Sequence, residues 1–307
     1  MTLLTSIDIP QATRPITYDD RLLFVGSCFS DAISAQLAQY CFRLTANPFG
    51  PLFNPLSILE ALQLTEVPEL IEWGGLYHSM SHHGQCSAPT KDETYRLCQA
   101  AIDSMQQAFN DASVVFITFG TAWVYELKEG VCGLVDEGVS GLVANCHKMP
   151  KEWFTRRRLT VDEIVKPWQA FIQAHPDKQF VFTVSPVRHV KDGLHQNQLS
   201  KAILLETIEQ LDAQYFPSYE IVLDELRDYR FYASDLVHVN EIGAQYVFER
   251  FCDTFFHPAT RQDMHLLHQY WLQSHHRLLH PDSEESKAFL NRLAAQREQL
   301  RQRFDWI

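Results

Sequence analysis

An α/β domain built on a parallel sheet is the architecture this chain predicts. Three observations lead there. Four short apolar runs, Leu22–Gly26, Ser113–Gly120 ("SVVFITFG"), Gln179–Val184 ("QFVFTV") and Tyr219–Leu223 ("YEIVL"), are nearly continuous and rich in β-branched or aromatic residues. That is the pattern of strands covered on both faces. Helical periodicity fills the intervals between them, and alternating strands and helices place helices on both sides of a parallel sheet.

The elements follow in chain order. After the first strand, Ser30–Phe42 repeats apolar residues at 33, 37, 38 and 41, a helical spacing. A weak strand, Phe42–Thr45, follows it. Lys91–Phe109, Val161–Ala174, Gln198–Tyr215 and Ile242–Phe256 read as helices. Together these define a domain over residues 1–256. Residues 257–307 form a helical extension, with helices at His265–Leu278 and Glu284–Phe304. It is free to pack on the core, to cap the sheet or to mediate oligomerisation. Residues 127–158, with "NCHKMP" and "RRR", are the longest stretch without periodicity, which marks a functional insertion.

Composition narrows the function. The chain is 46% apolar over 307 residues, enough for a large buried core. A net charge of −12 argues against nucleic acid or an anionic membrane as partner, since both select a basic face. The opening "MTLLTSIDIPQATRP" has neither the basic nor the apolar region of a secretory signal. No apolar run approaches the ~20 residues of a membrane span. A cytoplasmic protein is expected. Seven cysteines (28, 41, 86, 98, 132, 146 and 252) are scattered without a C-x-x-C pair, so neither a disulfide framework nor a zinc site is expected.

Chemistry concentrates in "LLFVGSCFSDAI", Leu22–Ile33. Gly26 permits a sharp turn at the strand end, where α/β sheets bind ligands. Ser27 and Cys28 then stand side by side at a helix N-terminus. Its free N–H groups and positive dipole end favour a thiolate, lower a cysteine pKa and offer donors to an oxyanion. The plainer reading makes Ser27 an N-cap and Cys28 a small buried apolar residue. Near the end of the domain, "YASDLVHVNEIGAQYVFERF" carries Asp235 and His238. A carboxylate three residues before a histidine on one loop can orient it as a base for a nucleophile. The plainer reading is a capping aspartate and an incidental histidine.

"VGSCFS" (25–30), "NPFGPLFNP" (47–55), "ITFGTAWVYE" (117–126), "NCHK" (145–148), "TVSPVRHVKDG" (183–193) and "DLVHVN" (235–240) together resemble the GSCFA family. That resemblance spans nearly all of residues 1–255. It implies membership of the SGNH/GDSL hydrolase superfamily, and hence a flavodoxin-like three-layer α/β/α sandwich with C-terminal helices added. It also implies the chemistry of esterases, lipases, carbohydrate deacetylases and acyltransferases. The superfamily's first block is G-D-S. Ungapped on Gly26, this register puts Ser27 at the acidic position and Cys28 at the nucleophile; a one-residue shift restores Ser27. D-x-x-H matches Asp235 and His238. Gly50 is the candidate for the second block's oxyanion donor, with Asn47 as a side-chain donor. The third block, normally G-x-N-D, reads Gly120-Thr121-Ala122-Trp123. Its asparagine is absent, and Thr121 is the candidate replacement. Asn145, His147, Arg188 and His189 are family residues near strand ends. Arg188 is suited to a carboxylate or the phosphates of coenzyme A, and His147 to a pocket wall. A hydrogen-bonded structural loop accounts for each of the four equally well.

Other signals carry less. His78 and His82 have helical metal spacing and His83 adjoins them, but no acidic ligand is near and Gly74, Gly75 and Gly84 indicate a loop. No metal and no cofactor are expected, with acyl-CoA as a conceivable co-substrate. Arg156–Arg158 read as a solvated or salt-bridged patch. Three functions stay open: an acyl hydrolase acting on an ester or thioester, carbohydrate-linked substrates included; an acyltransferase with a cysteine nucleophile; and a non-catalytic binding module.

Overall fold

In the computed structural model, residues 5–128, 131 and 141–307 are described. The elements in chain order are β1 (Leu22–Gly26), α1 (Cys28–Gln39), β2 (Leu44–Ala46), α2 (Pro55–Gln63), β3 (Leu70–Trp73), β4 (Leu76–Ser79), α3 (Lys91–Asp111), β5 (Val114–Phe119), β6 (Trp123–Leu127), β7 (Leu142–Val143), β8 (Phe154–Arg158), α4 (Val161–Ala174), β9 (Gln179–Val184), α5 (Leu194–Glu209), β10 (Gln214–Tyr215), α6 (Ser218–Glu220), α7 (Glu241–Phe255), α8 (Pro258–Ser274) and α9 (Glu284–Arg301). Five strands form one sheet in the order β10-β9-β5-β1-β2, with every pairing parallel.

Alternation along these strands builds two cores. Leu23, Val25, Val115, Ile117, Phe119, Phe180 and Phe182 face a core shared with Ile102 and Met105 of α3, Trp168 of α4 and Leu204 of α5. Leu22, Phe24, Val114, Phe116 and Val181 face the other, shared with Leu37 of α1, Phe251 and Phe255 of α7, Leu267 of α8 and Leu300 of α9. Each such side chain contributes about 1.5–3 kcal/mol when fully buried. The C-terminal helices therefore pack on the second core, where Phe304 meets Tyr18 edge-on at 5.3 Å. No helix among the described residues is long and apolar enough to cross a membrane.

One predicted strand is a correction. Tyr219–Leu223 is helical: α6 runs into a π-helical turn at Ile221–Leu226, and the fifth strand is the two-residue β10 instead. A short apolar run marks burial without distinguishing strand from helix. Here Tyr219 enters the first core and Ile221 and Val222 the second. Two small antiparallel units also lie outside the prediction. β3 and β4 form a hairpin that turns through Gly74 and Gly75, both at positive φ. β6 pairs with β7 and β8, so that part of the aperiodic stretch is sheet. Residues 129, 130 and 132–140 of that stretch, Cys132 among them, lie outside the described residues.

Candidate active site

The strand order reverses at β1. The chain passes from β1 to β2 on one side and later returns to β5 on the other, which makes the C-terminal end of β1 a switch point where α/β sheets hold ligands. Gly26 stands there at φ +134°, and a Cβ would lie 2.2 Å from the Thr118 carbonyl oxygen. Only glycine lets β1 run this close to β5 before turning into α1.

Ser27 and Cys28 part at this turn. Ser27 is 1% exposed. Its hydroxyl donates to Ser185 Oγ at 3.0 Å and accepts the Phe29 N–H at 3.4 Å, capping α1. Cys28 is half-buried, and its thiol is free. Its own N–H lies against its sulfur. Burial holds the thiol above its ordinary value; Ser27's hydroxyl opposes burial, Asp31's charge adds to it, and Lys201's charge opposes it. This corrects the expectation of a lowered pKa: desolvation outweighs the helix N-terminus.

Asp235 and His238 form a dyad. Asp235 Oδ2 lies 2.6 Å from His238 Nδ1, and its Oδ1 accepts the Val237 and His238 N–H groups at 2.9 and 3.0 Å. These bonds, the His238 ring foremost, hold the carboxyl down at about 2. It therefore stays ionised at neutral pH and holds the imidazole by Nδ1, leaving Nε2 without a hydrogen-bond partner among the described residues. Both side chains are about half exposed. No hydrogen bond joins His238 to Ser27 or Cys28 among the described residues.

Arg188 holds this loop in place. Its guanidinium lies over Tyr232 at 4.8 Å and Tyr229 at 5.3 Å and donates to the Leu236 carbonyl, while its N–H donates to Val237 O at 3.3 Å. Of the two readings the sequence leaves open for Arg188, an anion clamp and a hydrogen-bonded loop, these contacts belong to the second. Neighbouring His189 sits edge-on to Phe53. Burial, then the charges of Lys201, Arg156 and His238, lower its ring to about 4, so it is neutral between the dyad and the strand ends.

The three expected oxyanion donors are all engaged elsewhere. Asn47 accepts the Gly26 N–H on Oδ1 at 2.8 Å and donates from Nδ2 to Asp31 at 2.7 Å. The Gly50 N–H donates to Asn47 O at 2.7 Å, closing a turn packed on His83. Thr121's hydroxyl lies 3.1 Å from Ser200 Oγ and accepts the Trp123 N–H, while its own N–H donates to Phe53 O. Each of the three holds a strand-end loop.

Asn145 and His147 join a different cluster. Asn145 accepts the His147 N–H at 2.9 Å, and His147 Nε2 lies 2.8 Å from Ser79 O, with its ring against His78. Neither touches Cys28 or His238. No cluster of metal-ligating side chains forms among the described residues.

One residue of the site escaped the sequence. Lys201 on α5 is 1% exposed and donates to Gly120 O at 2.7 Å and Ser185 O at 2.6 Å, directly beneath the strand ends. Its signal was faint: a lysine in register with Asn197, Leu204 and Ile208 on the buried face of α5.

Comparison with known families finds that the GSCFA family model matches residues 21–251. No curated protein matches the chain.

Proposed function

The chain belongs to the GSCFA family, and from that premise we propose that it is an acyl-transferring enzyme of the SGNH type with Cys28 as nucleophile. The observation that carries this is the division of labour at the β1–α1 turn. Ser27 is buried and bonded to Ser185, whereas Cys28 at the helix N-terminus is only half-buried and its thiol meets no side chain but Ser27's hydroxyl, at 3.9 Å, among the hydrogen bonds of the described residues. The parallel order β2-β1-β5-β9-β10 corresponds to the flavodoxin-like 2-1-3-4-5 arrangement, which supports the superfamily placement.

Catalysis follows from the residues in hand. Cys28 sulfur attacks the acyl carbon of an ester or thioester, and its proton passes to His238 Nε2. Asp235 stabilises the imidazolium. The oxyanion forms beside the Cys28 N–H and the α1 dipole. Collapse expels the alcohol or thiol, which takes the proton back from His238 and leaves a thioester on Cys28. Water or an acceptor hydroxyl or amine then takes the acyl group. Free-enzyme geometry between base and nucleophile is often loose and tightens on substrate, so the absent Cys28–His238 bond is compatible with this role. With Asn47, Gly50 and Thr121 engaged, the oxyanion hole is sparse. Each missing donor lowers rate by about 10²–10³, and slow turnover is expected.

Short-chain acyl esters and acyl-CoA test the proposal. Cys28→Ala abolishes acyl release, and Ser27→Ala keeps it at reduced stability. Full activity in Cys28→Ala refutes the nucleophile.

A further inference from the structure

We infer that Lys201 is the electrostatic partner of Cys28, a buried ammonium fixed by strand-end carbonyls that stabilises negative charge at the β1–α1 turn. The inference rests on Cys28 being the nucleophile. Lys201 is a positioning and field-setting residue, since it bonds only protein carbonyls.

A buried ammonium ordinarily has a carboxylate partner. Among the described residues none lies within ion-pair reach of Lys201. Its Nζ donates to Gly120 O and Ser185 O, the first residues beyond β5 and β9. Those two bonds fix its position without neutralising it. Ser185 also accepts the Ser27 hydroxyl bond, so Lys201 is tied to the turn through a single intervening residue. The groups around it are Cys28 from α1, His189 from the loop after β9 and the Tyr219 ring at 5.7 Å. Asp31 on α1 is bonded to Asn47 and faces His83. Burial keeps the Asp31 carboxyl above its ordinary value and raises Tyr219 to about 12. Cys28 is therefore the neighbour that becomes anionic during reaction.

Burial sets each partner against its own charge, and the other opposes that effect. Lys201 is lowered to about 7 by desolvation, with Cys28 acting to raise it. The Cys28 thiol is raised by desolvation, with Lys201 acting to lower it. In a water-poor interior such a fixed charge acts far more strongly than at the surface.

Iodoacetamide alkylation of Cys28 in the full chain, followed by peptide mass analysis from about pH 5 to about pH 10, reads the thiolate directly. In Lys201→Met the midpoint rises by about one pH unit, and neutral-pH alkylation slows about tenfold. Lys201→Arg, which keeps the charge, restores most of the rate. A folded Lys201→Met with the wild-type midpoint overturns the inference. Should Lys201→Met fail to fold, Cys28→Ser provides the reciprocal reading. Removing the ionisable thiol lowers the Lys201 midpoint seen in its ε-carbon chemical shift, and an unmoved midpoint overturns the inference equally. Failure of the catalytic reading shows elsewhere, as acyl-ester activity surviving in Cys28→Ala.

Discussion

Two groups of histidines in this molecule make an instructive pair. In the β4 region, His82 is fully buried, stacked on Phe49 at 4.2 Å, with Nδ1 2.7 Å from Ser79 Oγ. His78 has both ring nitrogens engaged, by Ser87 Oγ and Trp73 O, and His147 is held on Ser79 O. In the 235–238 loop, one histidine is half exposed, is oriented by a single carboxylate and has no hydrogen-bond partner on Nε2 among the described residues. The first group packs loops from the interior, and where it leaves a nitrogen without a partner, as at His82 Nε2, that atom is buried. The second has kept one nitrogen for something outside itself. Residue type and proximity are alike in both places; what separates them is burial, since the unpartnered nitrogen of His82 is sealed inside and that of His238 belongs to a half-exposed ring.

The dyad substitutions break this comparison most sharply. Asp235→Asn leaves the loop shape intact but loses tautomer control, and activity falls by about 10³–10⁴. Both dyad side chains are exposed, so the melting temperature stays near wild type. His147→Gln, assayed in parallel, keeps its turnover per folded molecule. Equal losses in the two variants contradict the division.

Stability moves the other way. His82→Ala removes a buried ring and lowers unfolding free energy by on the order of 3 kcal/mol, read by denaturant titration, with turnover per folded molecule preserved. A smaller effect comes from acid. Burial lowers His82 and His147 to about 4, below their ordinary value of 6.5. The unfolded chain thus takes up protons first as pH falls. Stability is complete above about pH 6.5 and declines toward pH 4. A His82→Phe variant, which cannot protonate, shows a shallower decline over that window. An identical slope assigns the acid sensitivity elsewhere.

Legibility in the sequence followed locality. β9 and α4 were readable to the residue because their signals are local: a continuous apolar run, and a helical spacing of apolar residues. Asp235 and His238 were readable for the same reason, lying three residues apart. The oxyanion assignments needed distant information. Whether Asn47 is free depends on Gly26 and Asp31, 21 and 16 residues away. Lys201 carries no local signal of its role, because its partners, Gly120 and Ser185, lie 81 and 16 residues away, just beyond β5 and β9. Tyr219–Leu223 misled because burial alone makes a run apolar, whatever backbone it adopts.

The central claim is that the β1–α1 turn reacts through sulfur. Brief exposure of the protein to an activated acyl ester, quenching, and peptide mapping by mass tests it directly. The account predicts one acyl group on Cys28, labile to neutral hydroxylamine as a thioester, and markedly slower to form in His238→Ala. An acyl group on Ser27, or a Cys28 that stays unmodified while substrate is consumed, contradicts it.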